Sequence, residues 1–206
     1  MSYVTTDQID INDINIIQSW PGVEYTSCKI PTTIAYAREN YRIRANKWGF
    51  EVNSKHISYS WMKLLLDRNA VAGLQDDPTL VNNSGSGMLK LPDFREAGGV
   101  CEDFLKELYN HFATRMRAEM TELIFEATPM ECWITLPAIW SDEAKDATLN
   151  AARNAGFGNR PGDEVFTISE PEAAAIATLR GYSNPENTNP IRVWSTRSKD
   201  LARLSF

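Results

Sequence analysis

The sequence predicts an α/β protein built around a parallel strand pair, on three observations. Residues 133–175 run as an apolar strand, a Pro turn, an alanine-striped helix, a second strand and a helix opened by Glu170-Pro171. Strand, helix, strand, helix with short connections is a βαβ unit, whose strands pair in parallel. Ahead of it, residues 100–126 hold apolar side chains at helical spacing, and short β-branched runs separated by turn residues come earlier still. Ligands of parallel sheets bind at the carboxyl ends of the strands, where Pro137 and Glu170 fall.

In chain order, Ile14 to Gln18 and Ile30 to Tyr36 read as two neighbouring strands separated by the turn residues Trp20-Pro21-Gly22. A short strand is expected over Trp48 to Val52. From Tyr59 to Asp67, Trp61, Leu64 and Leu65 recur at helical spacing and predict a short amphipathic helix. Gly73 to Phe94 holds Asp76-Asp77-Pro78 and the run Asn82-Asn83-Ser84-Gly85-Ser86-Gly87, turn chemistry without periodicity, which predicts a surface connector. From Val100 to Glu126, Phe104, Leu105, Leu108, Phe112, Met116, Met120, Leu123 and Ile124 predict the longest helix, packed on the sheet. Ser141 is placed to cap the next helix, with Asp142 and Glu143 in its first turn and Gly156 at its end. Ala144, Ala147, Ala151 and Ala155 give that helix a small-residue face for close packing. Ser169 and Glu172 have the spacing of a capping box, with Pro171 in the first turn.

Composition narrows the function classes. At 206 residues and 43% hydrophobic the chain can bury a core, and a net charge of −6 gives no footprint for nucleic acid, which is bound through clustered Lys and Arg. Cys28, Cys101 and Cys132 are odd in number and widely spaced, and only His56 and His111 could join them, so neither a disulfide framework nor a zinc site is expected. A reducing, cytoplasmic setting fits. No run of about 18 apolar residues predicts a membrane span, and the amino terminus lacks the form of a secretory signal. Both histidines read as surface or helix-face residues.

Phosphate-binding and nucleophile motifs are weak. Gly85-Ser86-Gly87 lacks the Gly-Lys-Ser/Thr of a P-loop, and Gly156-Phe157-Gly158 follows a helix where a dinucleotide fingerprint precedes one, so both read as turns. No Gly-x-Ser-x-Gly elbow is present.

Taken together, Ile134-Thr135-Leu136-Pro137-Ala138-Ile139-Trp140, the helix Ala144 to Gly156, and Ile168-Ser169-Glu170-Pro171-Glu172-Ala173-Ala174-Ala175 resemble the nucleotide-binding domain of the heat-shock protein 70 family, within the actin-like ATPase superfamily. Lys29-Ile30-Pro31-Thr32-Thr33-Ile34-Ala35-Tyr36 looks like an early strand segment of that family. Lys63-Leu64-Leu65-Leu66 falls where the family has a phosphate-contacting lysine. Trp20-Pro21-Gly22 and Lys47-Trp48-Gly49-Phe50 look more like its divergent fungal relatives. These matches follow the family's order over residues 14–180.

The resemblance implies a partial actin-like ATPase (ribonuclease H-like) fold, mostly its first lobe, with a mixed sheet and packed helices over residues 1–180. An insertion subdomain is expected at about residues 37–115, and residues 181–206 form a divergent C-terminal tail. By resemblance Lys63 stabilises charge at a transferred phosphate, Glu170 lies near magnesium without ligating it directly, and Pro137 relays nucleotide state to a partner domain. ATP or ADP with magnesium would be the cofactor, and client proteins or co-chaperones the partners. Read without the family, Lys63 is a solvated helix edge, Glu170 complements a helix dipole and Pro137 ends a strand.

The departures set the activity expected. The family's first phosphate loop, Asp-Phe/Leu-Gly-Thr-Thr, and its second, Asp-x-Gly-Gly-Gly-Thr, are both missing, and Ile191 to Asp200 match nothing in the family. The chain therefore reads as truncated at both ends. The strands near Ile16 and at Trp133 to Leu136 are expected to lack their central partners, and neither tight ATP binding nor useful hydrolysis is expected. Two further readings stand beside this one: a non-catalytic protein-interaction module that keeps the first lobe, and an unrelated α/β enzyme using Glu170 or Asp142 as acid or base.

Overall fold

The computed structural model of the chain describes residues 1–6, 14–67 and 89–182, with side chains to 179. Strand β1 (Ser2–Tyr3) pairs antiparallel with β2 (Asn15–Ile16). Strand β3 (Thr33–Ala35) lies between β4 (Lys47–Trp48) and β5 (Tyr59–Ser60), antiparallel to both. Helix α1 (Ala97–Met120) and the short α2 (Glu122–Ala127) lead to the unit β6 (Glu131–Leu136), α3 (Asp142–Ala155), β7 (Glu164–Ser169) and α4 (Glu170–Tyr182). β6 and β7 pair in parallel along their whole length, Glu131 opposite Glu164 through Leu136 opposite Ser169. The molecule is thus mixed α/β, with small sheets and packed helices.

The βαβ unit follows its sequence signals closely. The Ser141 hydroxyl accepts the Ala144 N–H at 3.3 Å, Asp142 and Glu143 stand in the first turn, and Gly156 ends α3 at φ +119°, where its N–H reaches the Ala152 and Arg153 carbonyls. Ala144, Ala152 and Ala155 are buried with Cys132, Ile134 and Leu136 of β6, while Ala151 is buried in the cluster that holds Val100, Phe104 and Leu108 of α1. At the next helix the Glu172 N–H donates to the Ser169 hydroxyl at 3.3 Å.

Upstream, four expectations change. β2 and β3 do not pair with each other, because the segment between them closes on itself: the Ser27 N–H donates to the Gln18 carbonyl at 2.8 Å and the Trp20 indole to the Ser27 carbonyl at 2.7 Å. Among the described residues the strands form three separate small sheets rather than one mixed sheet. The strand expected at Trp48 to Val52 gives way after Trp48 to a 3-10 turn at Gly49–Glu51. The helix expected over Tyr59 to Asp67 is β5 followed by a 3-10 turn at Met62–Leu66. There Trp61 stands at φ 63° and is 41% exposed, while its neighbour Met62 is the buried anchor.

The expected helix from Val100 to Glu126 is interrupted. Thr121, at φ 73° and ψ 154°, ends α1 and starts α2. The interruption turns the apolar phase, so that Leu123 (80% exposed) and Ile124 (52%) face outward and Phe125 (2%) turns in. α1 packs chiefly along α3 and the 3-10 turn at Met62–Leu66, rather than on the parallel strands. Its buried residues Val100, Phe104, Leu108, Phe112 and Met116 join Ile17, Ile34, Tyr36, Trp48 and Tyr59 in one core cluster. Residue 115, near which the insertion subdomain was expected to end, lies within α1. The connector expected over Gly73 to Phe94 lies mostly outside the described residues, as does the tail from residue 183.

Candidate functional site

Three segments meet at the carboxyl ends of β6 and β7. The first is the 3-10 turn at Met62–Leu66. Met62 plugs it into the core below, and Asp67, at its end, is buried and accepts the Ser141 backbone N–H at 3.0 Å. That carboxylate sits at the amino end of α3, where the helix dipole favours negative charge, and it fixes the turn against the βαβ unit. Lys63 projects from the same turn.

The second segment is the end of β6. Pro137 follows the last strand residue, Leu136, and its carbonyl accepts the Trp140 N–H at 3.3 Å, closing a turn that brings Trp140 into the core. The third is the β7–α4 junction, where Ser169 ends the strand and Glu170 opens the helix.

Lys63 connects all three. Its ammonium donates to Glu170 Oε1 at 3.1 Å and to the Thr135 carbonyl of β6 at 3.4 Å, and it lies 5.3 Å from the centre of the Trp140 ring. The Lys63 and Glu170 side chains are 40% and 50% exposed, so the pair borders solvent. Below it Cys101 of α1 is buried; burial pushes its thiol up to about 12, partly offset by the Lys63 charge, which leaves an unreactive thiol.

Sequence reasoning singled out Lys63, Glu170 and Pro137. The first two are in contact, and Pro137 adjoins the strand whose Thr135 carbonyl Lys63 touches. It missed Asp67 and Trp140. A Pro137-x-x-Trp140 turn and an acidic residue closing Lys63-Leu64-Leu65-Leu66 are the signals that point to them, though each has meaning only once the segments are docked. His111, expected on a surface or helix face, packs its ring against Trp20 at 5.2 Å, with a ring nitrogen 2.9 Å from the Ser19 carbonyl.

The site offers one ammonium, one carboxylate and one backbone carbonyl. A nucleoside triphosphate with magnesium needs several converging donors for its phosphates, so these residues do not fit that group on their own. Among the described residues no cluster of three His, Cys, Asp or Glu side chains could hold a metal ion, and no helix is long and apolar enough to cross a membrane.

The fold and site define a mixed α/β protein with a cation–carboxylate pair at the ends of two parallel strands. The sequence matches no protein-family model and no curated protein.

Proposed function

We propose that this chain carries the first lobe of an actin-like ATPase of the heat-shock protein 70 type. It belongs to an ATP-dependent, chaperone-like system whose partners are client proteins or co-chaperones, and it does not hydrolyse ATP by itself. One observation carries the reading. Lys63 and Glu170, assigned to the same phosphate-facing site by resemblance alone, are 107 residues apart in the chain and 3.1 Å apart in space. Their meeting point is the carboxyl end of a parallel strand pair, where α/β sheets bind ligands. A cytoplasmic setting is part of the proposal, supported by Cys101 and Cys132 as buried free thiols.

Phosphoryl transfer depends on positioning and on charge stabilisation at several oxygens at once. Neither phosphate loop occurs among the 206 residues, and one ammonium already engaged by a carboxylate does not replace them.

Calorimetry with magnesium-ATP on the folded chain, checked by circular dichroism, is expected to show no micromolar binding. Grafting residues 14–180 into an intact nucleotide domain of the heat-shock protein 70 family should restore binding, and Lys63→Ala in the graft should weaken it. A folded graft that ignores ATP, or whose binding is indifferent to Lys63, sinks the reading. The second reading, a non-catalytic interaction module, draws on β7 and α4, which have no buried residue among those described. Such a module would give a graft with no ATP binding.

A further inference from the structure

The Lys63 ammonium is already engaged by the Glu170 carboxylate, with the Thr135 carbonyl and the Trp140 ring on its other sides and its side chain 40% exposed. We infer that Glu170 acts as an internal anion that closes the Lys63 site against phosphate-class ligands, so that the site opens only when Glu170 is drawn away. This rests on the phosphate-facing reading of Lys63, and it gives Glu170 a role opposed to ligand entry rather than one that assists it.

Carboxylate and phosphate oxygens seek the same donors, so they compete for the one ammonium face that Thr135 and Trp140 leave. Glu170 is also the first residue of α4, where its charge complements the helix dipole, and Glu172 stands in the same first turn. Both positive features at this end of the sheet are thus answered by carboxylates that repel an incoming anion. The pair borders solvent, and exposed ion pairs are weak and screened by salt, which makes this a closure that can be reversed. Asp67 and Met62 hold the turn that bears Lys63 in place, so removing Glu170 leaves the backbone that carries the ammonium where it is.

The test is a titration with inorganic phosphate, followed by phosphorus NMR, of the full chain, Glu170→Gln, and Glu170→Gln combined with Lys63→Ala. Glu170→Gln is expected to bind phosphate about tenfold more tightly than the native chain, the combined effect of a lost competitor and a lost like charge. The added Lys63→Ala should abolish the gain. Equal binding by the native chain and Glu170→Gln overturns the closure but leaves a phosphate site. Binding by neither, with both folded, removes the phosphate-facing reading and the closure with it. A gain that survives Lys63→Ala puts the anion elsewhere and also overturns the inference. Glu170→Ala serves the same purpose if Glu170→Gln folds poorly.

Discussion

Arg160 and Asp163 face each other as a buried fork, Nε to Oδ2 at 2.9 Å and Nη2 to Oδ1 at 3.0 Å, with side chains 9% and 0% exposed. Neither charge is left with its other hydrogen bonds unmade. Arg160 also donates to the Phe125 and Thr128 carbonyls at the end of α2, and Asp163 accepts the Met130 N–H at 2.7 Å where β6 begins. The guanidinium covers the Phe125 ring at 4.1 Å. One ion pair thereby joins the end of α2, the start of β6 and the loop before β7.

Removing the cation leaves that carboxylate buried and unpaired. Arg160→Met is therefore expected to cost about 3–5 kcal/mol, a large part of the stability of a domain this size. Urea denaturation measures it. A loss below about 1 kcal/mol would mean that solvent reaches Asp163 and the fork is not structural.

Asp67 should show a graded response. Asp67→Ala leaves the Ser141 N–H without its acceptor at the amino end of α3, a loss of about 1–3 kcal/mol. Asp67→Asn keeps an acceptor for that N–H, so at the amino end of α3 the loss falls to the charge–dipole part, about 0.5–1 kcal/mol. Thermal unfolding of the two variants should rank them in that order. The reverse order would argue that the carboxylate charge answers a different partner.

How legible such features are depends on how local their causes are. The α3 helix could be read from Ser141, Asp142, Glu143 and Gly156, because caps act within one turn of themselves. The parallel pairing of β6 and β7 followed from the order of elements. The helix misread at Tyr59 to Asp67 came from a spacing that a 3-10 turn and an α-helix share over so few residues. Lys63 could be nominated by resemblance, but its partners Thr135 and Glu170 lie 72 and 107 residues away, and no local pattern encodes that meeting. The break at Thr121 was illegible for a plainer reason. Neither Gly nor Pro marks it, and the apolar spacing runs on through Leu123 and Ile124 as though the helix continued.

Acid should weaken the fold through His111. Burial beside Trp20 and Trp48 lowers its affinity for a proton, against a smaller opposing pull from the Ser19 carbonyl. With the folded value depressed, the unfolded chain takes up a proton first as pH falls through about 6.5, so stability declines below that pH. Glu107, whose carboxyl burial raises, acts in the opposite sense at lower pH. Denaturation midpoints at pH 7.5 and 5.5 should therefore be compared between the native chain and His111→Gln, which is expected to flatten the decline. An unchanged pH slope in the variant would assign the effect to other groups.

Two glycines should respond oppositely to alanine. At Gly22, φ is +88°, and a β-carbon would lie 2.7 Å from the Glu51 nitrogen and 2.8 Å from the Phe50 carbonyl carbon, both backbone atoms. Gly22→Ala is expected to cost more than about 1 kcal/mol. Gly98, in the first turn of α1, has no atom beyond its chain neighbours and its own helix backbone within 4 Å of its β-carbon position, so Gly98→Ala should stabilise by about 0.5 kcal/mol through the unfolded chain's entropy. Equal effects at the two positions would contradict this account.

Thr121 holds backbone angles that glycine adopts easily and a β-branched residue does not, a strain of about 1–3 kcal/mol. The surroundings hold it there. Arg117 bonds Glu122 at 3.0 Å and Glu126 at 2.8 Å across the break, its guanidinium lies 4.9 Å from the Phe125 ring centre, and Phe125 is itself pinned beneath Arg160. A straight helix would bury Leu123 and Ile124 but withdraw Phe125 from the core and separate these pairs. Thr121→Gly should therefore relieve strain at the break and raise stability by about 1 kcal/mol, with no change in helix content by circular dichroism. Thr121→Ala, which favours a continuous helix and relieves less strain, should gain less. If Thr121→Ala proves the more stabilising and adds helix, the break is a weak preference, and the anchoring by Phe125 and Arg160 has been overstated.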